Sequence, residues 1–180
     1  NLLPNCLEWP PLLELKKANG SVLLHLPNTE VKFIQWTKWN KSLPVCRNVK
    51  IILFFCSEGE DMRRQSLNNG SFNIHVLKVL YALDNELALI SQLDVLLCMD
   101  SANMHFASLV GTRVISIWGA THPYAGFYGY HQDSGDVIQE NLPCRPCSVF
   151  GQKPCLRGDW ACMTLITPER IVEKVKASIK

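Results

Sequence analysis

Three side chains in the stretch CMDSANMHFASLVGTRVISIWGATHP have the types and spacing to do chemistry: Asp100, Ser101 and His105. Asp100 and Ser101 stand at the exit of an apolar run, and His105 follows one helical turn after Ser101. A serine at such an exit is a natural N-cap, and the N–H groups of residues 102–104 then lack acceptors within the helix. Those N–H groups and the positive end of the helix dipole form an anion site suited to a diphosphate. An imidazole facing the same end can donate a hydrogen bond to a phosphate oxygen or a leaving group. Asp100 would repel a phosphate, so it is assigned a sugar hydroxyl or a structural N–H. Against this stands a plainer account: Asp and Ser cap helices widely, and a single His in a helix is more often packed than functional. The loop Gly119-Ala120-Thr121-His122-Pro123 weighs toward function, because it sets a second small-residue turn beside the first.

The flanking elements must place these groups at one edge. DVLLCM (94–99) and RVISIW (113–118) are predicted strands, and ANMHFASLV (102–110) is a predicted helix ended by Gly111. Upstream, SVLLHL (21–26), VKIILFF (49–55) and NIHVL (73–77) are expected strands, with a short helix over 11–18 and another starting between Asp61 and Leu67. Trp36, Trp39 and Leu43 lie at near-helical spacing within 31–44. Asp84 is the expected N-cap of a helix running to Leu93, with Leu87, Ala88, Ile90 and Leu93 on its apolar face. The final TPERIVEKVKASIK is a marked helix: Thr167 is its cap, Pro168 sits at its first position, and Ile171, Val172, Val175 and Ile179 form its stripe. Continuously apolar strands alternating with helices imply a parallel sheet covered on both faces, a doubly wound α/β fold. In such sheets ligands lie at the carboxyl ends of the strands, where Asp100 falls.

Composition narrows the classes. With 180 residues, 47% hydrophobic and 19% charged, the chain is an ordered globular one. A net charge of +2 without a Lys/Arg cluster argues against a nucleic-acid partner. No apolar run approaches the roughly eighteen residues of a membrane span. NLLPNCLEWPP does not read as a signal peptide; it reads as a linker, as if cut from something longer. The Asn-x-Ser sequons at Asn19, Asn40 and Asn69 are taken as chance.

Four of the eight cysteines, Cys6, Cys46, Cys56 and Cys98, are scattered; Cys144, Cys147, Cys155 and Cys162 cluster as C-x2-C-x7-C-x6-C. Four thiolates can close a tetrahedral zinc site, and the prolines and glycines between them supply the turns. A structural zinc and four free thiols stand as equal alternatives, with disulfides disfavoured in a reducing cytosol. Either way the segment is a clasp and not a catalytic centre.

The run DSANMHFASLVGTRVISIWGATHP resembles the nucleotide-sugar-binding half of the lipopolysaccharide heptosyltransferases, glycosyltransferase family 9. The likeness extends through ELALISQLDVLLCMDS, the Cys-rich segment and ITPERIVEKV. It implies two Rossmann-like domains with the active site between them (GT-B), this chain being the C-terminal one. By position it implies that Asp100, Ser101, Ala102, Asn103 and His105 lie on the donor-binding segment, with Thr121 nearby. Ala102 stands where the family usually has glycine. LHLPNTEVK (24–32) is similar to a strand-loop-lysine segment, which puts Asn28 or Thr29 and Lys32 near the phosphates; a solvated surface lysine is the other account of Lys32. Glu60, in Cys56-Ser57-Glu58-Gly59-Glu60-Asp61, is a candidate for the adenosine part.

The resemblance further implies an inverting transfer of heptose from ADP-heptose to a lipopolysaccharide-core acceptor, without a catalytic cofactor. The general base is expected from an N-terminal domain outside this chain, so the chain alone is expected to bind donor without turning over. The expected location is cytoplasmic, peripheral to the inner membrane. Two rivals are a degenerate nucleotide-binding remnant, favoured by Ala102, and an unrelated Rossmann-type enzyme such as a sugar-nucleotide epimerase. The latter is disfavoured by the absence of a Gly-x-Gly-x-x-Gly after a strand. The expected division is a linker and short helix over 1–20, the nucleotide-sugar domain over 21–142, the clasp over 143–163 and the final helix over 164–180.

Overall fold

The computed structural model describes the backbone of residues 21–25, 50–54 and 74–76, and residues 82–151 and 153–179 with their side chains. Six parallel strands form one sheet: β1 (Ser21–His25), β2 (Lys50–Phe54), β3 (Ile74–Val76), β4 (Val95–Met99), β5 (Arg113–Trp118) and β6 (Val137–Gln139), in the order β3-β2-β1-β4-β5-β6. This is the strand order of a Rossmann-like doubly wound sheet, whose direction of winding reverses between β1 and β4. All five residues of β4 and the last five of β5 are buried, as expected of strands covered on both faces. β6 was not foreseen: three residues carry too short a pattern, and the strand exists because Ile138 pairs with Ile117 and is buried beside it.

Helix α1 spans Leu83–Ile90 and α2 spans Ala102–Val110. The expected Asp84 cap is incorrect: Ala82 holds the extended cap position, no side chain caps the helix, and Asp84 lies in the first turn, where its charge still suits the dipole. Leu89, Ile90 and Leu93 pack with Leu96, Met104, Ala107 and Trp118 in one cluster, so Leu89, not Leu87 or Ala88, carries the buried face of α1. Gly111 ends α2 at φ 75°, the left-handed conformation that favours glycine. The Thr112 hydroxyl then donates to the Ile90 carbonyl at 2.7 Å, tying α1 to the turn.

The short α3 (Ala161–Thr164) and the final α4 (Pro168–Ser178) complete the described elements. The Thr167 hydroxyl accepts from the Arg170 N–H, as its capping position requires. Ile171, Val172 and Val175 are buried; Ile179 is the C-cap, and Ser178 takes the next buried position by donating its hydroxyl to the Lys174 carbonyl. At the amino edge of the sheet, Arg113 grips the carboxylate of Asp136 with Nε and Nη2 at 2.6 and 2.9 Å, and Lys174 adds a contact at 3.0 Å. Asp136 is 1% exposed. This triad pins β5, the turn before β6 and α4 together. The Gln132 side chain accepts from the Val114 N–H at 2.8 Å and donates to the Thr112 carbonyl at 3.0 Å, standing in for a backbone neighbour.

Candidate functional site

The candidate site lies at the opposite edge, where β4 ends beside the reversal of the sheet. Ser101 has the extended conformation of an N-cap, yet its hydroxyl makes no capping bond. Its Oγ is buried without a hydrogen-bond partner, although the Cys98 thiol is close enough to be affected by it. Of the N–H groups at 102–104, that of Met104 is taken: it donates to the Ser101 carbonyl at 3.2 Å, a tight first turn. The buried Thr121 donates its hydroxyl to Asp100 Oδ2, joining the two loops that the sequence placed side by side. That bond gives one Asp100 oxygen a structural partner.

A pocket of about 250 Å³ opens over the start of α2. Its polar lining is Asp100, Ser101, His105 and Thr121, and Ala102 and Met104 line it as well. Phe127, Val149 and Phe150 form its apolar side. His105 is exposed and takes part in the lining, while Asn103 is buried and its side chain does not. The structure therefore brings Asp100, Ser101, Ala102, His105 and Thr121 together around one cavity. Lys32, Thr29, Asn28 and Glu60 lie outside the described residues, as do the expected helices over 11–18, 31–44 and from 61.

What holds the Gly119–Thr121 loop is Arg145, a residue the sequence reading passed over. Its guanidinium donates to the carbonyls of Gly119, Glu140, Trp118 (3.3 Å) and Thr121 (2.8 Å), and to Gln139 Oε1 (3.1 Å). Burial pulls the Arg145 pKa below its ordinary value, while the thiols of Cys162, Cys147 and Cys144 act in the opposite sense. The Cys147 N–H donates to the Ala120 carbonyl at 2.9 Å, a second stitch. Gly151 follows at φ +71°, where a Cβ, had the residue one, would come within 3.3 Å of Thr121 Cγ2, so glycine suits the position. The only sequence signal for all this was the Arg between two cysteines and a proline, which pointed to the cysteines alone.

The five cysteines among the described residues are free. Burial pushes Cys98 up to about 12 and also raises Cys147 and Cys162. Cys155 is lowered, chiefly by the Trp160 N–H, with help from those of Arg157 and Gly158. Cys144, Cys147, Cys155 and Cys162 lie near enough to perturb one another. Even so, among the described residues no three His, Cys, Asp or Glu side chains are grouped so that they could hold a metal ion. Of the two alternatives the spacing left open, zinc or free thiols, the thiols are here free: Cys147 donates to the Cys144 carbonyl, Cys162 is buried, and Arg145 lies close to Cys144, Cys147 and Cys162. Among the described residues no helix is long and apolar enough to cross a membrane.

Comparison with known proteins adds three findings. The model of glycosyltransferase family 9 (heptosyltransferase) matches residues 10–154. Lipooligosaccharide heptosyltransferase 2 of Campylobacter jejuni is 25% identical over 87 residues, 48% of this chain and 26% of that protein. Among solved structures, Escherichia coli heptosyltransferase WaaC with ADP-2-deoxy-2-fluoro heptose matches with a TM-score of 0.63 at 16% identity, over 89% of this chain and 43% of its own. Escherichia coli ADP-heptose lps heptosyltransferase II matches with the same TM-score at 16% identity, over 98% of this chain and 55% of its own. The structural likenesses show the fold, and this chain spans about half or less of the length of these proteins.

Proposed function

The chain belongs to glycosyltransferase family 9, and we propose that it is the donor-binding half of an inverting glycosyltransferase that moves heptose from ADP-heptose to a lipopolysaccharide-core acceptor. One observation carries the reading: the pocket over the start of α2 gathers Asp100, Ser101, His105 and Thr121 beside the sheet's reversal. A diphosphate seated there meets the first N–H groups of α2 and the positive end of its dipole. Of the two solved structures compared above, one is WaaC with ADP-2-deoxy-2-fluoro heptose and the other an ADP-heptose lps heptosyltransferase, which supports the same donor here.

In this reading the acceptor hydroxyl attacks the anomeric carbon, the bond from that carbon to the diphosphate oxygen breaks, and the charge grows on the departing diphosphate. That is the charge which α2 and a His105 N–H stabilise, with Lys32 adding a cation where no metal is used. Asp100, which accepts from the Thr121 hydroxyl, also accepts from a sugar hydroxyl in this reading. The acceptor's proton goes to a base that the reading assigns to a preceding Rossmann-like domain. The location that follows is the cytoplasmic side of the inner membrane, where such an acceptor is built.

Calorimetric titration of the chain with ADP and with ADP-heptose tests the reading. Binding of both, weakened in His105→Ala, supports it. A wild-type chain that took up neither ligand would favour the remnant reading, for which Ala102 in place of glycine is the specific ground.

A further inference from the structure

The pocket has two kinds of lining, polar and aromatic, and the reading above uses only the first. With Asp100 and His105, Phe127 and Phe150 also line it, their ring centroids 5.6 Å apart and inclined at 43°. Phe150 is 67% exposed and Phe127 37%, a large apolar surface to leave in water beside a charged group. Phe150 is not on a loose loop. It sits between Cys147, whose N–H is bonded to the Ala120 carbonyl, and Gly151, where an added Cβ would crowd the Thr121 side chain that holds Asp100. The Cys-rich segment therefore fixes an aromatic wall at a set place relative to the Asp100 carboxylate.

We infer that this wall is the platform for the transferred sugar, a pyranose ring whose apolar C–H face rests on Phe150 and Phe127 while its hydroxyls reach Asp100. A pyranose needs both surfaces at once: hydrogen-bond acceptors for its hydroxyl edge and an aromatic face, with its negative quadrupole, for its polarised C–H groups. A diphosphate needs neither. An adenine ring could also stack, but a nucleotide at this kind of sheet lies across the crevice between β1 and β4. The aromatic residues come instead from segments after β5 (Phe127) and after β6 (Phe150), strands that lie beyond β4 from β1 in the sheet. The clasp is thus part of the sugar subsite, and Phe150 is a specificity-determining residue.

This inference rests on the nucleotide-sugar reading, and the test separates the two. The full chain and its Phe150→Ala, Phe127→Ala and Phe150→Tyr variants are titrated with ADP and with ADP-heptose. Both Ala variants are expected to hold ADP within twofold of wild type and to bind ADP-heptose about fivefold more weakly, the size of one aromatic contact. Phe150→Tyr is expected to keep the wild-type affinity for both. Equal weakening for ADP and ADP-heptose would put the base on the wall and overturn the inference, as would unchanged affinity for both. A wild-type chain that bound ADP but gained nothing from the heptose would overturn it while leaving the nucleotide site standing. Binding of neither ligand to wild type would remove the nucleotide-sugar reading and this inference with it.

Discussion

At the start of β5, Arg113 meets a buried carboxylate; just past its end, Arg145 meets five backbone and amide oxygens and, among the described residues, no carboxylate within bonding distance. The first arrangement is closed. Asp136 has two cations on it, its neighbours are paired, and no further partner is needed. The second is open: Arg145 fixes the shape of a loop, while the Ser101 and Ser148 hydroxyl oxygens nearby in the chain's site and clasp remain buried without partners. One edge spends its polar groups on holding the fold, and the other keeps some of them unspent beside a cavity. The difference teaches where to look for a ligand, since a buried polar group left without a partner is costly and calls for an explanation.

The comparison can be broken most severely at Asp136. Asp136→Ala leaves Arg113 without its partner and is expected to cost about 3 kcal/mol of stability in denaturant titration. Its effect on ADP affinity per folded molecule should be below twofold; a large effect would mean that the two edges are not separate. Arg113 holds the Asp136 carboxyl below the ordinary aspartate value of 3.8. Its contribution to stability is therefore complete above that value and is lost as pH falls through the lower folded one. Acid unfolding of wild type below about pH 4 should accordingly be blunted in Asp136→Asn, which has no such carboxylate to protonate.

Arg145 comes next. Arg145→Lys retains a cation but cannot reach the same fork of acceptors. It should weaken ADP binding about tenfold by releasing the Gly119–Thr121 loop, with a stability loss of about 1–2 kcal/mol. If stability fell and affinity did not, Arg145 would belong with Arg113 as a purely structural group. His105→Ala sharpens the contrast from the other direction. His105 is exposed, so thermal unfolding should not shift, while ADP affinity falls about fivefold. The smallest effect is on thiol reactivity. At neutral pH Cys155, favoured by backbone N–H groups, should alkylate well before Cys98, which burial pushes up to about 12. Mass-spectrometric labelling in the reverse order would contradict the burial assigned to these two sites.

The sequence was legible where a pattern is local. The apolar runs of β4 and β5, the Ser101 and Gly111 boundaries of α2 and the Thr167-Pro168 start of α4 are each written in a few adjacent residues. The gathering of Asp100, Ser101, His105 and Thr121 followed, because parallel strands in sequence bring their exit loops to one edge. What stayed hidden depends on distant segments. Arg145 acts on carbonyls 24–27 residues earlier in the chain, and no periodicity marks that. Val149 and Phe150 read as an apolar pair in a loop until the Cys147 N–H is seen to tie that loop to the Ala120 carbonyl. The cysteine spacing left zinc and free thiols as alternatives for a related reason: it constrains how thiols can meet but does not report the arginine lying among them.

The central claim is that the start of α2 cradles a diphosphate. Backbone amide shifts of the isotope-labelled chain, followed during addition of ADP, test it most directly. The account predicts that the N–H signals of Ala102 and Asn103, with those of Ser101 and His105, move the most, and that Arg113 and Asp136 at the far edge stay in place. Saturable binding that left Ala102 and Asn103 unmoved while shifting other residues would contradict it.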